Sequence, residues 1–515
     1  MISCLLLERP GRWRTIGLVA VLGICAAPML PLVLPAGFQV GNFGSVFTGA
    51  FARSLASAGF IAVLVGITSY AVGLPLGVIP AIFQVRGHKV LMGIIALPLM
   101  LPSFLVAIGW SSLAAKAGGP IHSFINGPGG CVLVFSGTGI PLVMLTAYAA
   151  CTSLTSSQLD AAQIAGGARP VLGHVLRFAS TPAMLAALLS SVLSVSDPGP
   201  GQIFGVLTAG SEILTSIAAT YDFTLAARQC LVLGLLVLLI AGPVIWAAAP
   251  TLTNAVLARQ TRQLHRVKHG RMHLVGLCGL AITLLVLVAG PLLGLLLPIG
   301  TGIARAAEEL RRTGWNTLLC ALVAGSLSAC LAIAIAFFVG RDRKAMRLAI
   351  VSLAILFVLP PSLGALGIVH IKGFLPTPLD PWANSRLIVG AQLALRFVPV
   401  AAVLMLRSWG ATSQTWAMAA AVHGVPFTRY ILRILVPWMV RSAALAGLLV
   451  GLLATSDIVT VLLLQPPGES SFPLAIFTVM ANAPESLVAA MCLLYLAGAG
   501  ALLIGIAVLA RGRRN

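Results

Sequence analysis

The sequence predicts an all-α polytopic membrane protein with about twelve transmembrane helices, arranged as two parallel six-helix repeats. The first observation behind this prediction is the composition, because 59% of the 515 residues are hydrophobic and only 9% are charged. A soluble domain carries roughly a quarter charged residues. With a mean hydropathy of +1.04, the chain has too little polar surface to cover a water-soluble globule. We therefore expect the bilayer to be its solvent.

The second observation is a series of apolar runs, each near the length of roughly 20 residues that one membrane crossing needs. The runs fall at residues 15–35, 55–82, 90–113, 131–152, 180–196, 227–249, 273–298, 315–339, 348–369, 387–406, 438–456 and 488–510. The first run follows Arg9, Arg12 and Arg14, and its length favours an uncleaved first helix over a signal peptide.

The distribution of basic residues predicts the orientation. If both termini lie in the cytoplasm, 23 of the 32 Lys and Arg residues fall in cytoplasmic segments, eight lie outside and Arg396 lies within a run. Because the cytoplasmic loops of membrane proteins are rich in Lys and Arg, we expect this orientation. The net charge of +20 then reflects topology. No interleaving of basic and aromatic residues indicates a nucleic-acid surface, so no nucleic-acid partner is predicted.

The third observation is an internal duplication. Four landmarks recur at an offset of 258 to 260 residues, namely Pro102 and Pro361, Pro141 and Pro399, Gly166 and Gly424, and Asp197 and Asp457. Each half holds six apolar runs, an even number, so both halves share one orientation and form a parallel repeat. The predicted organisation is a first transmembrane repeat at residues 1–255, a basic cytoplasmic linker at 256–272 and a second repeat at 273–515.

No catalytic motif is present in the sequence. It lacks a GxxxxGK[ST] phosphate-binding loop, an HExxH motif and a GxSxG motif, so we expect no catalysis, bound cofactor or metal site in this chain. By their position along the chain, the acidic residues avoid the middle of the apolar runs. Ion-driven transporters usually bury ionisable groups there, so this pattern argues against ion coupling. Arg396 is the exception, and both a structural and a functional role stay open for it.

Polar segments at residues 418–437 and 160–179 occupy equivalent places in the two halves, on the predicted cytoplasmic side. In residues 418–437, the small side chains of Ala419 and Ala420 predict that another surface can approach closely. Gly424 predicts a left-handed turn that ends a short helix, and Pro437 marks the return into the membrane. The chain has a transporter-like duplication but no energy source of its own. We therefore expect a partner to act on it through these two segments.

Residues 418–437 resemble the EAA loop of binding-protein-dependent ABC importer permeases, whose pattern is E-A-A-x3-G-x9-I-x-L-P. The matching residues are Ala419, Ala420, Gly424, Ile434 and Pro437, with Met418 in place of the Glu and Val436 in place of the Leu. In the first half the matching residues are Asp160, Ala161, Ala162 and Gly166, with Ala179 in place of the Pro. Residues 97–110, 315–318 and 396–399 also look like the fused permeases of the iron(III) and thiamine branch.

The resemblance implies a partner-driven mechanism. Two copies of a separate ABC ATPase would bind the two loops, and ATP binding by those partners would drive the pathway open. A periplasmic or extracellular substrate-binding protein would deliver a small solute such as ferric iron or thiamine. The chain itself would be a non-catalytic subunit in a bacterial cytoplasmic (inner) membrane. It would contact membrane lipid and leave ATP hydrolysis to the ATPase.

Two Ser-Asp steps follow the helices that come after the loops. Ser196 and Asp197 end the first of these helices, and Ser456 and Asp457 end the second. One interpretation places them at an outer gate or pathway that meets a cationic substrate. The other gives them a helix-end and turn role, since Pro198 follows directly.

Two further classes of function compete with the permease. An ion-coupled secondary transporter with two parallel six-helix halves would move its substrate without an ATPase. A membrane scaffold or receptor would move no substrate with any partner.

Overall fold

The computed structural model describes residues 12–33, 46–47, 50–152, 154, 168–257, 269–300, 302–376, 378, 380–412 and 414–511. This part of the chain is helical and contains no β-strand. Within it, 10 helices are long and apolar enough to cross a membrane, and two bent helix pairs raise the number to 12 if each pair is one span. Every predicted apolar run overlaps one of these spans. The chain is therefore a multi-pass helical membrane protein.

Helix bounds follow the chain in two groups. Up to residue 257 they are α1 (Arg12–Ala26), α2 (Leu30–Val33), α3 (Ala50–Ile82), α4 (His88–Ile95), α5 (Ser103–Ala117), α6 (Gly119–Ile125), α7 (Pro128–Cys151), α8 (Ala168–Ser196), α9 (Gly199–Ile203), α10 (Ala209–Ala218) and α11 (Phe223–Leu257). From residue 270 they are α12 (Gly270–Leu284), α13 (Gly290–Leu296), α14 (Ile303–Val339), α15 (Arg343–Val358), α16 (Pro361–Lys372), α17 (Asp380–Ala383), α18 (Arg386–Gly410), α19 (Gln414–Val422), α20 (Phe427–Tyr430), α21 (Val436–Ala454), α22 (Ile458–Leu464), α23 (Phe472–Val479) and α24 (Glu485–Arg511).

Two sharp bends coincide with prolines. The α4–α5 pair bends by 102° before Ser103, and the α15–α16 pair bends by 84° before Pro361. Pro102 and Pro360 have ψ angles of 132° and 136°, outside the helical region. A proline lacks the N–H that a helix interior needs, and it forces the residue before it into an extended conformation. Each bend therefore follows from the local sequence.

Two groups of three helices form the centre of the bundle. In the first group α3, α7 and α8 pack on one another, and in the second α14, α18 and α21 do so. Small residues allow this close packing. A methyl group on Gly73 of α3 would press on Val143, and one on Gly325 of α14 would press on the backbone of Gly447. Such small-residue contacts are typical of helix packing in membranes.

The helices that begin each half pack against the other half. Helix α1 lies on α14 and α15, whereas α12 and α13 lie on α4 and α5. Two glycines mark the closest approaches. A methyl group on Gly109 would overlap the carbonyl oxygen of Pro291, and one on Gly367 would overlap that of Pro28. The predicted segments 1–255 and 273–515 thus share an extensive interface.

Several contacts identify one end of the bundle, which we call the basic end. There the Arg14 guanidinium, only 4% exposed, donates from Nη2 to the carbonyl oxygen of Phe337 at 2.6 Å. This cation therefore sits at the C-terminus of α14, where the helix dipole favours positive charge. Arg341 likewise donates to the carbonyl oxygen of Thr412. Because successive spans alternate in direction, the described ends of α1 and α24 both lie at the basic end.

Candidate functional site

Helix α19 forms the centre of the second loop, and Gly424 closes it. Gly424 has a φ of +65°, as the sequence predicts. Its N–H donates to the carbonyl oxygen of Ala421 at 3.2 Å, and the N–H of Val425 donates to that of Ala420 at 2.9 Å. This pair of bonds is a Schellman motif, which satisfies the last carbonyl groups of a helix and needs a left-handed residue.

The chain after Gly424 returns to the bundle without a break at Pro437. Helix α20, a π-helical turn at Ile431–Leu435 and α21 form one continuous span from Thr428 to Ala454. Pro437 lies at the start of α21, directly after the π-turn. A proline ring collides with the carbonyl group four residues earlier in a regular α-helix, and a π-turn shifts that group. Pro437 therefore shapes the helix and does not end it.

The small residues of the loop divide between two faces of α19. Ala420 and Ala421 are 5% and 6% exposed and belong to the bundle core. Ala419 faces outward with Met418 and Val422, which are 49% and 76% exposed. Residues four apart share a face of a helix, so Met418 and Val422 form one apolar contact surface. We call Met418, Ala419 and Val422 the exposed face of α19.

Aromatic packing and a hydrogen bond fix α19 to the bundle. The Trp416 ring lies 5.2 Å from that of Trp438 on α21, in a T-shaped arrangement. Such aromatic pairs contribute about 0.5–1.5 kcal/mol beyond the burial of their area. At the start of the loop, Arg341 also donates to Oγ1 of Thr412 at 3.2 Å. Helix α19 thus contacts α21, and the residues just before it contact the α14–α15 connection.

The first eight residues of the predicted first loop, 160–167, lie outside the described residues. This applies to Asp160, Ala161, Ala162 and Gly166, whose docking role stays a prediction. Helix α8, which follows that loop, is described from Ala168 to Ser196.

The two Ser-Asp steps begin short helices that follow the long spans. Asp197 accepts hydrogen bonds from Oγ of Ser103 at 2.6 Å and from the N–H of Gly199 at 2.9 Å. Asp457 caps α22, accepting from the N–H and the hydroxyl of Thr460 at 3.1 and 2.8 Å. Both contacts support a helix-end role for the Ser-Asp steps. This is one of the two interpretations of their sequence, and an outer gate is the other.

Arg396 joins Asp457 in a buried ion pair. Its Nε lies 2.8 Å from Oδ2 of Asp457, and their side chains are 21% and 3% exposed. The Nε–H bond of Arg396 does not point toward Oδ2 of Asp457, so the contact is an ion pair without an aligned hydrogen bond. Asp457 thus pairs with the guanidinium, whereas the carboxylate of Asp197 is bonded to Ser103 and Gly199.

Asp457 lies beside the middle of α18, whereas the sequence predicts an outer position for it. Arg396 is ten residues into α18, or about 15 Å from its first residue at 1.5 Å per residue. The prediction that acidic residues avoid the middle of the spans is therefore wrong for Asp457. Its pairing with Arg396 explains how the charge is tolerated.

Polar groups without partners lie near this pair. Oε1 of Gln392, whose side chain is 3% exposed, and Oγ of Ser196 have no hydrogen-bond partner among the described residues. Gln392 and Arg396 line a cavity of about 10 Å³ beside Pro360 and Pro361. This volume is at the lower limit for one water molecule, so no larger solute fits here in this conformation.

A second polar network, which no sequence pattern indicated, lies at the opposite end of the bundle. Arg386 at the start of α18 binds Glu469 through Nε and through Nη2, the latter 2.6 Å from Oε1. These hydrogen bonds hold the pKa of Glu469 below its ordinary value. Asn316 donates to the carbonyl oxygen of Ser470 at 3.2 Å, and Thr317 accepts from the N–H of Phe472 at 2.7 Å. Helices α14 and α18 thus both hold the segment before α23.

No group of three or more His, Cys, Asp or Glu side chains that could hold a metal occurs within the described ranges. Comparisons with protein-family models, with curated proteins and with solved structures find no match to this chain.

Proposed function

We propose that the chain is the permease subunit of an ATP-binding cassette importer. The observation that carries the proposal is the second loop. A short helix closed by a left-handed glycine projects an exposed apolar face at the basic end, and it is packed against α21. This is the geometry expected of a surface on which a soluble partner docks to drive a conformational change. It coincides with the residues that resemble an EAA loop.

Paired features support the proposed two-fold repeat. The sharp bends before Ser103 and Pro361, and the short helices after the two Ser-Asp steps, occur once in each half. The close approaches at Gly109 and Gly367 are reciprocal, since each joins one half to the first span of the other. The groups α3–α7–α8 and α14–α18–α21 also correspond in order along the chain.

In this proposal the two loops bind two ABC ATPase subunits, which bind and hydrolyse ATP. The chain itself holds no cofactor and performs no catalysis. The basic end faces the cytoplasm of a bacterial cell, in its cytoplasmic (inner) membrane, with both termini on that side. A soluble substrate-binding protein docks at the opposite end. The substrate is a small solute such as ferric iron or thiamine.

Replacing Gly424 by valine should lower recovery of the ATPase at least about fivefold, because a left-handed conformation costs a residue with a Cβ about 1–2 kcal/mol. Gly424→Asn should retain the ATPase, since asparagine tolerates this conformation. The measurement is affinity purification of the full chain from native membranes, with ATPases identified by mass spectrometry.

Gly468 offers a matched control at the opposite end. It too has a positive φ, +78°, and open space around its Cα. Gly468→Val should leave ATPase recovery unchanged. Equal recovery with Gly424→Val and Gly424→Asn would count against docking through this loop.

An ion-coupled secondary transporter is the second candidate, and the buried carboxylate of Asp457 favours it. Asp457 lies where ion-driven transporters place their ionisable groups. This candidate expects proteoliposomes that contain the chain alone to take up substrate under a proton or sodium gradient. The permease proposal expects none without the ATPase.

A further inference from the structure

We propose that the first two turns of α15, with the neighbouring face of α11, bind the headgroup of an anionic phospholipid. Three basic side chains, Arg343, Lys344 and Arg347, carry the positive charge of this site. Arg343 and Arg347 are four residues apart and share one helix face. Arg343 and Lys344 are exposed, and Arg347 is half-buried. This surface plays no part in the proposed transport function, so the inference is independent of that function.

These three positive charges have no acidic partner in the described part of the chain. The nearest acid in sequence, Asp342, uses its carboxylate to accept from the N–H groups of Lys344 and Ala345 at 3.1 and 3.4 Å. Nε of Arg347 is buried without a hydrogen-bond partner among the described residues. Asp342 thus caps the helix terminus, and the basic side chains are left to attract an external anion.

Trp246 of α11 orients Arg347 for a phosphate group. The guanidinium carbon of Arg347 lies 4.7 Å from the centroid of the Trp246 ring. Stacking of this kind occupies one face of a guanidinium and leaves its edge available for two parallel hydrogen bonds to a phosphate. Trp246 itself is 61% exposed. Tryptophan is enriched at the headgroup level of membranes, where its apolar ring and its polar N–H are both accommodated.

The depth of Trp246 agrees with this placement. From Phe223 to Trp246 helix α11 rises by about 35 Å, which slightly exceeds a hydrocarbon core of about 30 Å. Trp246 and Arg347 therefore lie where α11 leaves the core at the basic end. Leu239 and Leu235, 63% and 59% exposed, continue the Trp246 face of α11 into the core.

A lipid satisfies both parts of this surface at once. The three basic side chains attract a phosphate, and the apolar stripe of Leu235, Leu239 and Trp246 receives an acyl chain. A free phosphate would use only the basic part. The cytoplasmic leaflet carries anionic lipids, and the basic end is predicted to face it.

Removing the three charges should weaken anionic-lipid binding selectively. We expect Arg343→Gln/Lys344→Gln/Arg347→Gln in the full chain to raise the Kd for cardiolipin at least about tenfold, because each basic side chain near a lipid surface adds to the attraction. Binding of phosphatidylcholine should not change. The measurement is native mass spectrometry of purified protein titrated with each lipid.

A matched control removes three charges at the opposite end. Arg305→Gln/Arg311→Gln/Arg312→Gln should bind cardiolipin like the unchanged protein. Arg343→Lys/Arg347→Lys retains the charge, and we expect it to bind cardiolipin better than the triple glutamine variant, which shows that charge is responsible. The proposal is overturned if the two triple variants behave alike, or if cardiolipin and phosphatidylcholine bind equally well. Displacement of cardiolipin by millimolar inorganic phosphate would reduce the site to an anion site and also overturn the lipid assignment.

Discussion

Arg396→Ala should lower the free energy of unfolding by about 3–5 kcal/mol, the loss expected when one partner of a buried ion pair is removed. The Asp457 side chain is 3% exposed and would be left buried without its counter-ion. The measurement is equilibrium unfolding of the purified protein in mixed detergent micelles.

A double variant separates the charge from the packing of the side chains. Arg396→Gln/Asp457→Asn removes both charges and leaves the asparagine able to cap α22, so we expect most of the lost stability to return. If the double variant were as unstable as Arg396→Ala, loss of the ion pair would not explain the lower free energy of unfolding. Arg396→Lys should fall between the unchanged protein and Arg396→Ala.

Gly367→Ala should destabilise the protein by about 3 kcal/mol, at the upper end of the range for overpacking. The added methyl group would overlap the backbone carbonyl of Pro28, and a backbone atom has no rotamer with which to move away. Because this contact joins α16 to the segment after α1, the variant should also loosen α1. Protease cleavage near the N-terminus, compared with the unchanged protein, measures this second effect.

Gly242 in α11 provides the control, since nothing lies within 4 Å of a methyl group built there. Gly242→Ala should be neutral or slightly stabilising, because alanine is the better helix former. Gly109→Ala should resemble Gly367→Ala, since it meets Pro291 in the same way. If Gly367→Ala were as stable as Gly242→Ala, the close approach would not be a constraint.

The sequence predicts the spans and the loop geometry well, because local chemistry determines both. Apolar runs locate the spans, but the bends at Pro102 and Pro360, inside the runs 90–113 and 348–369, were not predicted. Gly424 predicts the left-handed turn that closes α19. Each of these features depends on residues within a few positions of one another. Residues 160–167 of the first loop, which include Asp160 and Gly166, lie outside the described residues, and the docking role of this part stays a prediction.

The depth of Asp457 could not be read from the order of residues. Helices α22 and α23 have 7 and 8 residues, which is too short for a pattern of membrane spans to reveal. If the residues of α22 and α23 are taken as an outer loop, Asp457 is placed at the surface. The contact of Arg396 with Asp457 is long-range and leaves no periodic signal.

The sequence also does not show which of the three alanines of α19 face outward and which face the bundle core. The sequence shows that Ala419, Ala420 and Ala421 are small, but which of them faces outward depends on how α19 sits against α21. The ring contact of Trp416 with Trp438 determines that orientation, and it joins residues 22 positions apart. The pair of Arg386 and Glu469 is separated by 83 residues and was missed for the same reason.

Photo-crosslinking from the exposed face of α19 would show whether this surface meets an ATPase. Val422 and Phe374 are equally exposed, at 76% and 75%, but lie at opposite ends of the bundle. Benzoylphenylalanine would replace each in turn, in the full chain within native membranes. The account predicts a crosslinked ATPase with a phosphate-binding loop from position 422 and none from position 374. The absence of any ATPase adduct at position 422, or the same adduct from both positions, would contradict it.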